Sequence, residues 1–180
     1  VGVEVTKFKV GDHVGVGCMV DSCRDCSSCG QGLEQYCDNG CVFTYNGKLN
    51  GSDTPTYGGY STEIVVNEDF VLSIPTNLSL DKAAPLLCAG VTTYSPLRQW
   101  NVKQGDKVAI MGLGGLGHMA VKLAVAMGAE VTVMSRSNHK KSDAIRLGAS
   151  HYLNTSEPES FTQNANKFDF ILNTISSDLD

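Results

Sequence analysis

Lys107-Val108-Ala109-Ile110-Met111-Gly112-Leu113-Gly114-Gly115-Leu116-Gly117-His118 is an apolar run that stops at a glycine turn and reopens as a helix. Val108 to Met111 reads as an apolar strand. Gly112, Gly114 and Gly117 form G-x-G-x-x-G. Alone that spacing is weak, because the chain holds 19 glycines and every turn uses them. Its context makes it specific: a strand precedes it, and the apolar positions after it recur at helical spacing. The first glycine permits the turn, the second lets backbone approach a pyrophosphate, and the third packs helix on strand. The helix N-terminus then offers free N–H groups and a positive dipole end to the anion. Gly112, Leu113, Gly114, Gly115, Leu116 and Gly117 are therefore expected to bind a dinucleotide. A glycine-rich turn without a ligand is the competing reading, and both flanks speak against it.

The surrounding rhythm alternates strand and helix. From Asp106 the pattern predicts a strand over 107–111, a helix over about 116–127, a strand over 130–134 and a helix over about 139–147. Further strand pieces follow over 151–153 and 168–173, around a polar stretch containing Pro158. Alternation of this kind means a parallel sheet with right-handed crossovers. The second strand ends in Ser135-Arg136-Ser137. A site for NAD commonly carries Asp or Glu there to hold the ribose hydroxyls. Here no carboxylate repels a 2′-phosphate, Arg136 can pair with it bidentately, the serine hydroxyls can donate, and Lys140 or Lys141 lies within reach. NADP is the expected cofactor; a solvated basic loop is the bland alternative.

Upstream of the sheet, Asp81 is a plausible N-cap of a short helix through Leu86, and a second helix is expected over 92–100. Farther upstream stands Cys23-Arg24-Asp25-Cys26-Ser27-Ser28-Cys29, then Cys37. Four thiols at these spacings suit a tetrahedral all-sulfur zinc site, with Gly30 and Gly32 bending the chain back. With no ligand position left open, such an ion is structural. A disulfide framework leaves one of seven cysteines over. An iron–sulfur cluster fits less well, since the last gap is long and no proline follows. Around this lobe (residues 22–42) the pattern is β. Val3 and Val5 alternate with polar neighbours, 13–19 reads as a short strand containing Cys18 as a small buried side chain, and 59–66 and 70–74 return to strand patterns. Residues 43–58 read as loop. Many short strands and one metal lobe suggest a partly closed barrel.

Composition sets the bounds. Hydrophobic content of 42% and charged content of 18% describe a globular chain, and a net charge of −5 without a basic stripe points away from nucleic acid and anionic membrane surfaces. No apolar run approaches the roughly 20 residues of a membrane span. The chain opens on Val1, in mid-pattern, and reads as an internal fragment.

Taken together, the cysteine lobe, the segment Leu86-Leu87-Cys88-Ala89-Gly90-Val91-Thr92-Thr93-Tyr94 and the glycine turn resemble the zinc-dependent medium-chain alcohol dehydrogenases. Thr54-Pro55-Thr56-Tyr57-Gly58-Gly59-Tyr60-Ser61 and Gly112 to His118 are similar to the cinnamyl-alcohol-dehydrogenase-like branch. The resemblance implies an α/β plus β fold. Residues 1–80 would be part of a GroES-like β-barrel carrying the structural zinc at Cys23, Cys26, Cys29 and Cys37. Residues 81–180 would be part of a Rossmann doubly wound parallel sheet. It further implies that Cys88 is one ligand of a second, catalytic zinc and that Thr92 lies beside the nicotinamide carboxamide; Thr174, near the end of a later strand, is a further candidate for a cofactor contact. The remaining catalytic ligands, a cysteine and a histidine, would precede Val1, so the 180 residues alone are expected to be inactive while the parent is not. The implied reaction moves hydride between a primary alcohol and NADP, with zinc polarising the alcohol oxygen. The implied setting is a cytoplasmic enzyme, a homodimer at full length. A zinc-free quinone reductase type shares the fold but lacks the lobe, and a non-catalytic nucleotide-binding protein on the same scaffold is the rival from another class.

Overall fold

The computed structural model describes residues 1–176, and the chain divides into two compact units, Val1–Cys88 and a second beginning at Ala89. In the first unit, β1 (Val14–Val16), β2 (Met19–Asp21), β3 (Val42–Phe43), β4 (Tyr45–Lys48), β5 (Pro55–Tyr57) and β6 (Val71–Ser73) pair antiparallel as β1–β6, β2–β3 and β4–β5. After β6 come α1 (Leu80–Ala83) and a 3-10 turn over Ala84–Leu87.

Four sequence expectations change here. Residues 1–13 form no strand: the backbone N–H groups of Thr6 and Lys7 donate to the Glu68 carboxylate at 3.0 and 2.8 Å instead of joining a ladder. The run 59–66 is also irregular. Its hydrophobic alternation finds no partner among the described residues, Val65 is 92% exposed, and the Ser61 hydroxyl donates to the Gly58 carbonyl to hold a turn. The stretch read as loop contains the β4–β5 hairpin, where the Thr56 hydroxyl accepts from Gly47 N–H at 2.8 Å. Finally, α1 is capped by Ser79, not Asp81: the Ser79 carbonyl accepts from the N–H groups of Lys82 and Ala83, and Asp81 sits in the first turn.

The second unit follows its predicted rhythm closely. It contains α2 (Ala89–Gln99), β7 (Lys107–Met111), α3 (Gly115–Ala126), β8 (Glu130–Ser135), α4 (Lys141–Arg146), β9 (His151–Asn154), α5 (Ser160–Gln163) and β10 (Phe170–Asn173). The sheet runs β10-β7-β8-β9, and every described pairing in it is parallel. Its core is continuous: Leu97 of α2, Val108 and Ile110 of β7, Val121 of α3, and Val131 and Val133 of β8 have no solvent exposure. Burying each such side chain contributes roughly 1.5–3 kcal/mol relative to exposure. Between β7 and β10 the strand order reverses, and in sheets of this kind ligands bind at that crevice, beyond the carboxyl ends of the strands. Gly112 follows β7 there, and Thr174 follows β10.

Candidate metal and cofactor sites

The lobe is built from two 3-10 turns, Cys29–Gln31 and Glu34–Tyr36. Gly32 ends the first with φ +71°, a left-handed conformation that suits glycine. Gly30 lies inside the turn and has no such requirement. The sulfurs of Cys23, Cys26, Cys29 and Cys37 all lie within 4.8 Å of one another, with 3.9 Å between Cys23 and Cys29. Zinc–sulfur bonds of about 2.3 Å in a tetrahedron set sulfurs about 3.8 Å apart, so this donor set fits the ion. Around it, the N–H groups of Cys23 and Cys26 point at the Cys37 and Cys23 sulfurs at 3.4 Å, and the Cys29 thiol meets the buried Ser22 hydroxyl, also at 3.4 Å.

The electrostatics are those of crowded thiols. Backbone N–H groups of Asp25 and Cys26 pull the Cys23 thiol down to about 6. The Ser22 hydroxyl also pulls on Cys29, yet burial and the sulfurs of Cys26 and Cys37 outweigh it and push Cys29 up to about 11. A group of sulfurs this close cannot all ionise unaided, and a divalent cation removes the conflict.

Cys88 is exposed and ends the first unit. The turn before it rests on β1, because a Cβ on Gly15 would sit 2.6 Å from Leu87 Cδ1. Cys18, expected as a buried apolar side chain, is half-buried and lies beside Cys88. Hydrogen bonding and charge from Cys18, with partial burial, raise the Cys88 thiol, and Cys18 acts on Tyr45 in the same direction. Among the described residues, the lobe is the one cluster of three or more Cys, His, Asp or Glu placed to share an ion. Cys88 is not part of that cluster.

At the glycine turn the three fingerprint positions separate by role. Gly112 has φ +89°. A Cβ on Gly117 would lie 2.1 Å from the Gly112 carbonyl oxygen, so this glycine is what lets α3 start against the turn. Around Gly114 and Gly115, by contrast, a Cβ would meet nothing within 4 Å. Protein packing does not require glycine there, whereas a ligand lying on the backbone would. The Thr174 hydroxyl and N–H both donate to the Met111 carbonyl, at 2.8 and 3.0 Å, tying β10 to the root of the turn. In α2, Thr93 turns its hydroxyl back to the Ala89 carbonyl and is buried, while Thr92 is exposed.

The end of β8 stands next to this turn. The Lys140 ammonium donates to the Leu113 carbonyl at 2.9 Å, which brings the loop 135–140 onto the edge of the glycine turn. Lys141 begins α4. Sequence reasoning missed the groups beneath the loop, Tyr152 and Ser156, since only the β8–β9 pairing brings them near.

A zinc-binding dehydrogenase family model matches residues 115–179, and an alcohol dehydrogenase GroES-like domain model matches residues 1–76. The chain belongs to the zinc-binding alcohol dehydrogenase family. It is 64% identical to NADP-dependent alcohol dehydrogenase C 1 of Mycolicibacterium smegmatis, over all of this chain and 52% of that protein. A cinnamyl alcohol dehydrogenase from Sorghum bicolor superposes with TM-score 0.95 at 48% identity, over 99% of this chain and 51% of that one. CAD from Helicobacter pylori, complexed with NADP(H), gives TM-score 0.91 at 50% identity, over all of this chain and 50% of that one. The chain spans about half the length of these relatives. Among the described residues no helix is long and apolar enough to cross a membrane.

Proposed function

We propose that this chain is part of an NADP(H)-dependent zinc alcohol dehydrogenase or aldehyde reductase acting on primary alcohols, cinnamyl-type alcohols among them. The observation that carries the reading is the glycine turn: closed at Gly117 by contact with Gly112, and open above Gly114 and Gly115 where a pyrophosphate would lie. Residues 1–80 and 81–180 are taken as the barrel and dinucleotide-binding portions.

Each residue then has a task. N–H groups at the start of α3 bind the pyrophosphate. Ser135, Arg136, Ser137 and Lys140 hold the 2′-phosphate, with charge-assisted bonds from the two cations. Thr174 braces the turn, and the exposed Thr92 hydroxyl is available to the nicotinamide carboxamide. Cys88 supplies one sulfur ligand, while Cys23, Cys26, Cys29 and Cys37 hold an ion that shapes the lobe. When bound, the catalytic zinc supplies Lewis acidity toward the alcohol oxygen and the nicotinamide supplies a hydride acceptor. A homodimeric, cytoplasmic full-length protein is part of the same reading, supported by the dehydrogenase kinship.

The test is steady-state alcohol oxidation by the full-length protein with NADP and with NAD. The expected result is turnover with NADP preferred at least about tenfold in kcat/KM, or about 1.4 kcal/mol, and loss of turnover in Cys88→Ala. Tight NADPH binding without turnover of any primary alcohol or aldehyde would instead establish the non-catalytic rival.

A further inference from the structure

Three successive carbonyls, those of Ser135, Arg136 and Ser137, are held from below by one neighbouring segment. The N–H of Thr155 donates to Ser135 O at 2.8 Å, the Ser156 hydroxyl to Arg136 O at 2.6 Å, and the Tyr152 hydroxyl to Ser137 O at 2.5 Å. That segment is itself fixed. The Asn154 side chain accepts from the N–H of Ser156 at 3.1 Å and donates to Glu157 at 3.2 Å, and the Ser160 hydroxyl donates to the Asn154 carbonyl. Carbonyl oxygens repel phosphate, so a loop that must present donors to a dianion has to turn its oxygens away. Among the described residues the N–H groups of Arg136 and Ser137 have no protein acceptor. All three carbonyls are occupied on one side, which leaves the N–H groups and side chains for the other.

We infer that Tyr152 and Ser156 are positioning residues for 2′-phosphate recognition, setting the preference for NADPH over NADH without touching the cofactor. The inference rests on the reading of Ser135–Ser137 as the 2′-phosphate loop. Ser156 is exposed, and although the half-buried Tyr152 ring packs against the core, its hydroxyl reaches out of it to the loop. Their bonds end on the loop, and the reward for ordering that loop appears only with a ligand that carries the extra phosphate.

The experiment is titration of the purified protein with NADPH, NADH and 2′,5′-ADP in the wild type, Ser156→Ala, Tyr152→Phe, Ser156→Thr and Arg136→Ala. Loss of one neutral hydrogen bond weakens binding by roughly threefold to tenfold. We expect that loss for NADPH and 2′,5′-ADP in Ser156→Ala and Tyr152→Phe, with NADH unchanged within about twofold and the hydroxyl of Ser156→Thr restoring affinity. Equal weakening of NADPH and NADH, or no weakening, while Arg136→Ala abolishes the preference, overturns the positioning role and leaves the phosphate loop standing. An Arg136→Ala protein that keeps the full preference overturns the phosphate loop itself, and the inference with it.

Discussion

Two glycines in one turn differ in what a side chain there would meet. Gly117 faces the Gly112 carbonyl so closely that a methyl group there must push α3 away from β7. Overpacking of this kind costs roughly 1–3 kcal/mol. Gly114 has extended backbone, with φ −98° and ψ −157°, and open space where a side chain would go. Gly117→Ala is therefore expected to lower both the melting temperature and NADPH affinity. Gly114→Ala is expected to melt within about 0.5 kcal/mol of wild type, as surface substitutions do, and still lose NADPH affinity by at least about tenfold. Thermal melts with and without NADPH check both. A Gly114→Ala protein that binds NADPH normally would show that no ligand uses the open space. The spacing of the glycines was readable in the sequence; which of them packs against protein and which faces open space was not, because that distinction depends on where the Gly112 carbonyl points.

At the scale of elements, legibility tracked how local the stabilising pattern was. Strands β7 and β8 are buried along their middles, Val108 to Ile110 and Val131 to Met134, so they appear as mainly apolar runs bounded by polar residues. The cysteine lobe was equally plain, because its ligands fall within 15 residues and geometry follows from spacing. The first unit was harder. The Val1, Val3, Val5 alternation resembles a strand, yet a strand exists only when a partner supplies its hydrogen bonds, and here a Glu68 carboxylate takes them. The β4–β5 hairpin was hidden for the opposite reason: its residues are turn formers, and cross-strand bonding to Thr56 organises them. Tyr152 and Ser156 meet the loop 135–137 across two parallel strands, a contact no local pattern encodes. The lobe also makes a prediction of its own. With four sulfurs as the ligand set, Cys29→Ser or Cys26→Ser should lower zinc content by one ion per chain, measured by atomic absorption, while Cys88→Ala leaves that ion in place. Retention of lobe zinc in both lobe variants would remove the tetrathiolate assignment.

The two units differ in what stabilises them, and this is a property of the whole chain. Fully buried apolar side chains gather in the second unit, around Leu97, Val108, Ile110, Val121, Val131 and Val133. Buried apolar residues in the first unit are few: Val20, Val42 and Ala83, together with the lobe cysteines Cys29 and Cys37. A unit with so small a core depends on its metal, because binding free energy at a structural site is folding free energy. The chain carries a single tryptophan, Trp100, which packs against Phe170 at 6.4 Å between ring centroids in the second unit. Its fluorescence therefore reports that unit alone. Chelation should produce an early loss of β signal in circular dichroism and expose the lobe thiols to a colorimetric thiol reagent, while the Trp100 melt stays where it was. NADPH should do the reverse, raising the Trp100 transition by mass action, about 2.7 kcal/mol at a hundredfold excess over Kd, and leaving the thiol exposure curve unmoved. Chains with several units commonly break two-state behaviour in this way. If chelator and NADPH shift both probes together, the units unfold as one, and the metal's contribution extends to the dinucleotide-binding sheet.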